Sequence, residues 1–309
     1  GSAQNAGIEL GVNFGVIRNQ NFTWDVNVAF ARNWSKIKEL PSGDDVSNNW
    51  FIGERLNVLR DYTYAGVITA DGVTMHTING DKHYTLQEVY DKYGPKSPNK
   101  LKWYEGQMAV NDWNDDGKIN DEDKQIYGCT DPKWTGSLSS TMTYKGFDFS
   151  FMLYTKQGQW SRSYFHEQYM NYGDRGRQKV NFDYYIPAGT PVLDKNTGDV
   201  TYLSEAHIGK YPYPNNTEKT GGGYFSSSSA AVRYHKTSFV KVKNITLGYT
   251  FPKAWLSKIA VKHLRLYVNV INPFCFTDYE GFDPEWASAN LTNGGPASVT
   301  YQIGANIKF

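Results

Sequence analysis

The sequence predicts an all-β fold, with about seven antiparallel strands of a transmembrane β-barrel joined by short turns at one end and long loops at the other. Three observations predict it. Apolar residues alternate with small polar ones over segments of barrel-strand length, about 9–11 residues. The connections between those segments alternate short and long. Residues 299–309, the last segment, form an amphipathic strand that ends on an aromatic residue.

The elements follow in chain order. Ile8, Leu10, Val12, Phe14 and Val16 share one face, and Glu9, Gly11, Asn13 and Gly15 share the other. Such period-two alternation marks a strand with one apolar side. A turn at 18–21 leads to Trp24, Val26, Val28 and Phe30, which alternate with Thr23, Asp25, Asn27 and Ala29. The polar faces carry small residues, which suit a crowded lumen better than bulk water. The second hairpin sets Leu138, Ser140, Met142 and Tyr144 on one face. A tight turn at Lys145-Gly146 precedes Phe147, Phe149, Phe151 and Leu153. In the third, Ile245, Leu247, Tyr249 and Phe251 oppose Asn244, Thr246, Gly248 and Thr250. Pro252 has no N–H to donate and ends that strand. A linker through Trp255 and Leu256 leads to Leu264, Leu266, Val268 and Val270. The final strand aligns Val299, Tyr301, Ile303, Ala305, Ile307 and Phe309.

The long connections are 34–133, 158–237 and 273–297, rich in Gly, Pro, Asn, Asp and Tyr. Structureless loops of this length are uncommon in compact soluble domains. Outer-membrane barrels show this asymmetry, with short periplasmic turns and long extracellular loops. With the C-terminus periplasmic, every short turn falls on the periplasmic side. Seven strands are too few to close, because single-chain bacterial barrels have an even number, about eight or more. An open sheet would leave unpaired edges in lipid. The expectation is therefore that residues 1–309 form one part of a larger barrel.

Composition agrees. Mean hydropathy is −0.59 and no apolar run is long enough for a membrane helix. A barrel strand needs only one apolar face, so low mean hydropathy does not exclude a membrane protein. Aromatic residues make up 16%, and Tyr and Trp suit membrane interfaces. A net charge of +1 gives no sign of nucleic acid as a partner. Cys129 and Cys275 fit no metal motif and no disulfide framework. No signal peptide is read, so a leader is expected to have been removed or to lie upstream. The histidines are scattered, and no catalytic motif isolates a nucleophile, a base or a phosphate loop. The chain is not expected to be an enzyme.

The first long loop holds an acidic segment at 112–123, reading DWNDDGKINDED. Its spacing resembles the twelve-residue EF-hand or dockerin-type calcium loop. Oxygen ligands would come from Asp112, Asn114, Asp116, the Lys118 carbonyl and Asp123. Gly117 permits the sharp turn, and Ile119 would anchor the loop in a core. Asp123 stands where an EF-hand prefers Glu. The expected metal is Ca²⁺ in a structural role; the plainer reading is an acidic turn held by Asx hydrogen bonds. In the second long loop, Tyr164, Phe165, Tyr169, Tyr172, Tyr184, Tyr185, Tyr211 and Tyr213 could stack on sugar rings, though packing among the loops is the simpler role for each. Gly221, Gly222 and Gly223 read as a flexible link.

The end of the chain, QIGANIKF, resembles the barrel-assembly signal of outer-membrane proteins, with Gln302, Gly304, Ile307 and Phe309 in the signal positions. Four further stretches carry a wider resemblance: 5–10 (NAGIEL), 111–128, 238–252 (SFVKVKNITLGYTFP) and 279–285 (YEGFDPE). Together they look like the C-terminal part of a SusC/RagA-type TonB-dependent transporter of the Bacteroidetes. Pro273 after Asn272 departs from the family's usual Leu. The resemblance implies a barrel of the roughly 22-stranded type with a plugged lumen. It also implies a place in the Gram-negative outer membrane, among membrane lipid, and assembly by the barrel assembly machinery. TonB, acting through an N-terminal part, and a SusD-like surface lipoprotein are the implied partners, and an oligosaccharide or peptide the implied cargo. The loops near 160–235 and 274–296 would face cargo or lid. The alternative is a secreted all-β carbohydrate-binding protein with a dockerin-like calcium loop.

Overall fold

Seven strands run in chain order through one sheet. They are β1 (Ser2–Arg18), β2 (Phe22–Glu39), β3 (Trp134–Tyr144), β4 (Phe147–Gln157), β5 (Phe239–Thr250), β6 (His263–Phe276) and β7 (Thr300–Lys308). Every neighbouring pair is antiparallel, and β1 and β7 form the two edges. The computed structural model describes residues 1–93, 105–169, 183–194, 196–213, 233–257, 260–288 and 297–309.

Local chemistry explains the short connections. Asn19 Oδ1 accepts from the amides of Asn21 and Phe22, closing the first turn. Lys145 and Gly146 have φ of 46° and 92°, the left-handed pair that a two-residue hairpin turn demands. A Cβ on Gly146 would also stand 2.8 Å from the Thr250 carbonyl oxygen. Pro252 caps the single helical turn Lys253–Leu256, which replaces a hairpin between β5 and β6.

The strands are longer than their apolar alternation. β1 starts at Ser2, β2 continues to Glu39 past the expected loop start at 34, and β6 continues to Phe276 past 273. The loop boundaries are corrected accordingly. The ladder keeps its hydrogen bonds where the apolar signal stops, because period-two hydrophobicity reports only the part of a strand that faces a nonpolar medium.

The chain divides into two compact units. One comprises 1–58, 128–161 and 236–309, and holds the sheet; the other comprises 59–127 and 162–235. The expected structureless loops are not structureless. The second unit contains short ladders, among them Tyr64–Val67 with Met108–Val110 and the hairpin Val73–Thr77 with Gly80–Tyr84. It also contains a helix, Leu86–Tyr93, whose Thr85 and Glu88 exchange N-terminal hydrogen bonds. Tyr62, Ile68, Val73, Met75, Val89, Ala109 and Val110 form its core, with Ile119 packed against them. Helix and strands of this size escape a reading tuned to strand-length alternation.

Candidate functional site

The sheet turns one apolar face outward. Side chains on the expected face are exposed along β1 (Ile8, Leu10, Val12, Phe14), β4 (Phe147, Phe149) and β7 (Tyr301, Ile303, Ile307). Away from the sheet edges, Leu247 on β5 is 52% exposed on this same face. Aromatics gather at both ends of this face. Tyr144, Phe147 and Trp255 lie toward the short turns, and Trp34, Trp134 and Tyr301 toward the long loops. At about 3.3 Å per residue and a tilt of about 40°, the roughly ten residues from Trp24 to Trp34 cover roughly 25 Å, the height of a barrel's apolar band.

The opposite face is polar and satisfied. Asp148 binds Arg265, whose guanidinium lies 4.9 Å from the Tyr267 ring centroid. Thr246 donates to Asn269 Oδ1, and Asn269 in turn donates to Gln302 Oε1 at 3.0 Å. Glycines make room for these contacts. A Cβ on Gly304 would stand 2.4 Å from the Tyr267 ring, and one on Gly248 would stand 2.5 Å from the Arg265 guanidinium. The terminal signal residues thus split by face. Gln302 and Gly304 complete the inner polar ladder, while Ile307 and Phe309 remain exposed with the outward side chains.

A buried ion network joins two of the stretches that carried the family resemblance. Lys241 Nζ lies 2.9 Å from both Asp283 carboxylate oxygens and 2.5 Å from Glu285 Oε2, and Lys243 reaches the same Glu285 oxygen at 2.7 Å. Lys241 is 2% exposed. Strict alternation would send Lys241 and Lys243 outward with Ile245. A bulge between Val242 and Asn244 re-phases β5, so Val240 faces out and Lys241 in. Sequence reading missed this cluster; the Lys-x-Lys in an otherwise apolar strand start was the available signal.

In the acidic loop, Asp112 and Asp123 are buried while Asn114 and Asp116 are less so. Asp112 Oδ2 accepts from the Gly117 amide and the Tyr93 hydroxyl, both at 2.8 Å; its Oδ1 is buried with no hydrogen-bond donor. Gly117 has φ 81°, as the sharp turn requires. Burial pushes the Asp123 carboxyl above its usual range. The Asn120 and Asn114 amides pull the other way, and the nearby Asp112 charge adds to the rise. Asn114 Oδ1 and Asp116 Oδ1 accept from the backbone amides of Asp116 and Lys118. Those bonds hold both side chains within the turn. Among the described residues, no group of three or more His, Cys, Asp or Glu side chains stands as a metal-holding set.

Among the described residues of the aromatic cluster, Tyr184, Tyr185 and Tyr211 pack inward. Tyr185 and Tyr211 are buried, Tyr184 packs beside Tyr211, and Tyr185 donates to Glu105. Tyr172 and Gly221, Gly222 and Gly223 lie outside the described residues. His166 is buried, bonded to Ser163 Oγ at 2.6 Å and stacked 3.6 Å from His235; burial holds its pKa down at about 2. Ser163 is equally buried, so the pair is a packed core contact. Cys129 and Cys275 are free thiols.

No family model matches the chain. Over 100% of its length it is 28% identical to the TonB-dependent receptor SusC of Bacteroides thetaiotaomicron, covering 27% of that protein. It is 29% identical to a TonB-dependent receptor of Formosa agariphila, covering 30% of it. Among solved structures, the RagAB peptide transporter superposes over 99% of the chain with a TM-score of 0.62 at 17% identity, covering 29% of that chain. The last likeness shows the fold. The chain therefore spans under a third of its curated relatives, which are receptors and transporters rather than enzymes. A seven-stranded sheet with an apolar outer face, a polar inner ladder and similarity along the whole chain to these receptors agree: the chain resembles the C-terminal portion of the barrel of the SusC/RagA-like TonB-dependent transporters of the outer membrane.

Proposed function

We propose that this segment is part of the wall and outer loops of a TonB-dependent importer, which takes up an oligosaccharide or peptide together with a SusD-like surface lipoprotein. The observation that carries it is the full-length similarity to SusC on a sheet whose apolar face points outward. The secreted carbohydrate-binding alternative has no use for that face. TonB would act through a part of the protein outside residues 1–309. The terminal strand, with Ile307 and Phe309 exposed, is the part the barrel assembly machinery would read. In the whole protein, replacing 160–235 or 274–296 by a short linker is expected to abolish cargo uptake or lipoprotein co-purification, while heat-modifiable gel mobility still reports an assembled barrel. An assembled variant with normal uptake and partner binding would end the assignment of those loops.

We also infer that the acidic loop binds Ca²⁺ in a structural role. Two buried carboxylates, Asp112 and Asp123, lie close enough to repel, and Asp112 Oδ1 has no donor. A hard cation supplies what that oxygen lacks. Asn114, Asp116 and the Lys118 carbonyl would complete the set once the two side chains release their backbone bonds. The sign of the pH effect follows from the raised Asp123 carboxyl. Its contribution is full below the unfolded carboxylate range and is lost as pH rises through the folded value. In chelator the loop region is expected to lose stability over that interval, and Ca²⁺ to restore it in the wild type but not in Asp112→Asn. Identical melting with calcium and with chelator would refute the metal.

A further inference from the structure

Where the apolar face of β1 and β2 ends, on the side of the long loops, a cavity of about 510 Å³ opens on the same side of the sheet. Arg32, Lys36, Arg55 and Lys133 line it, with Trp34 and Gln4, and no acidic side chain does. The register sets Ile8 opposite Arg32, Ala6 opposite Trp34 and Gln4 opposite Lys36, so these residues continue the row of Leu10, Val12 and Phe14. The Arg32 guanidinium lies 4.9 Å from the Trp34 ring centroid. Among the described residues, Arg32, Lys36 and Lys133 have no carboxylate partner. Arg55 is held by the Asp131 and Pro132 carbonyls, 4.0 Å from the Asp131 carboxylate, and its Nε is buried with no acceptor.

We propose that this hollow binds the phosphate-bearing headgroup of an outer-leaflet lipid, with the acyl chains lying against Ile8, Leu10 and Val12. Arg32, Lys36 and Lys133, which have no acid beside them in the hollow, repel one another unless an anion enters. Guanidinium and ammonium groups give a phosphate strong charge-assisted hydrogen bonds. A soluble anion would explain the charge but not its position. The hollow sits directly at the end of an exposed apolar row, beside a Trp of the kind that marks the interface. A lipid satisfies both parts of the surface, with phosphate above and chains below. The proposal rests on the outer-membrane placement of the sheet.

The test uses the full-length transporter reconstituted in nanodiscs containing phosphorylated lipid A or its dephosphorylated form. Native mass spectrometry then counts the lipid retained after delipidation. The wild type is expected to keep phosphorylated lipid A. The triple variant Arg32→Gln, Lys36→Gln, Lys133→Gln is expected to keep at least about fivefold less. Neither should keep the dephosphorylated form. Equal retention by both proteins, equal retention of the two lipids, or displacement of the lipid by millimolar inorganic phosphate would overturn the proposal. If the triple variant fails to show the heat-modifiable mobility of an assembled barrel, the single variants Lys36→Gln and Lys133→Gln serve, each expected to lower retention about twofold. Failure of the underlying placement would look different, because the protein would then be missing from the outer-membrane fraction.

Discussion

The sheet and the second unit are built on opposite rules. In the second unit Ile68, Met75, Val89 and Ala109 are fully buried and charged groups such as Lys82 and Asp81 meet the surface. In the sheet Leu247, Ile303 and Phe147 are exposed, while Lys241 is buried. One chain therefore carries two solvent codes. The second unit hides apolar surface from water, as folding in water demands. The sheet offers apolar surface to a medium that welcomes it, and keeps polar contacts for its other face.

That contrast can be broken most forcefully at Lys241. Truncation with Lys241→Ala leaves Asp283 and Glu285 without their buried cation and is expected to cost about 3–5 kcal/mol. Urea unfolding of the whole protein in vesicles would measure it, and a loss under about 1 kcal/mol would show that water already solvates the network. The next largest effect belongs to the other unit. Met75→Ala empties a fully buried position and is expected to cost about 2–5 kcal/mol. It should appear as faster amide exchange over Val73–Thr77 with the sheet's protection unchanged; equal loosening of both units would deny their independence.

A charge on the outward face sharpens the comparison further. Leu247→Arg, between mid-strand and the short-turn end, is expected to destabilise the barrel in a bilayer by up to about 2–4 kcal/mol. In a soluble domain the same exposed position would tolerate arginine. Tolerance in vesicles would therefore count against a lipid-facing sheet. The smallest effect is expected at the exposed Arg18–Asp25 pair, 2.6 Å apart at the first turn. Arg18→Ala should change unfolding by about 0–1 kcal/mol, since both partners are solvated there. A larger loss would mean that this turn meets something other than water.

Much of the sheet was legible because lipid imposes a simple pattern. Ile8 to Val16 and Val299 to Phe309 alternate cleanly, and the structure pairs them into strands on either edge. Lys145-Gly146 announced its turn through Gly146, which takes positive φ freely. The second unit was read as loop because its strands are short and its core residues lie far apart in sequence. Tyr62, Val89 and Val110 show no common period, and only packing reveals them as neighbours. The acidic loop lies between these cases. Its spacing placed Gly117 at a left-handed turn and Ile119 against the core, but could not say that Asn114 and Asp116 would bond backbone amides.

The amino-acid order alone gave away the outward face, the short turns and the likeness to SusC-type receptors, because each is written locally: period two, turn residues and contiguous motifs. The tertiary structure alone decided where Lys241 points, what Gly304 accommodates and which cations gather around Trp34. A single bulge reverses the side on which a strand's residues fall, and a register fixes which residues become neighbours. Neither leaves a mark in the order of amino acids until the strands are paired.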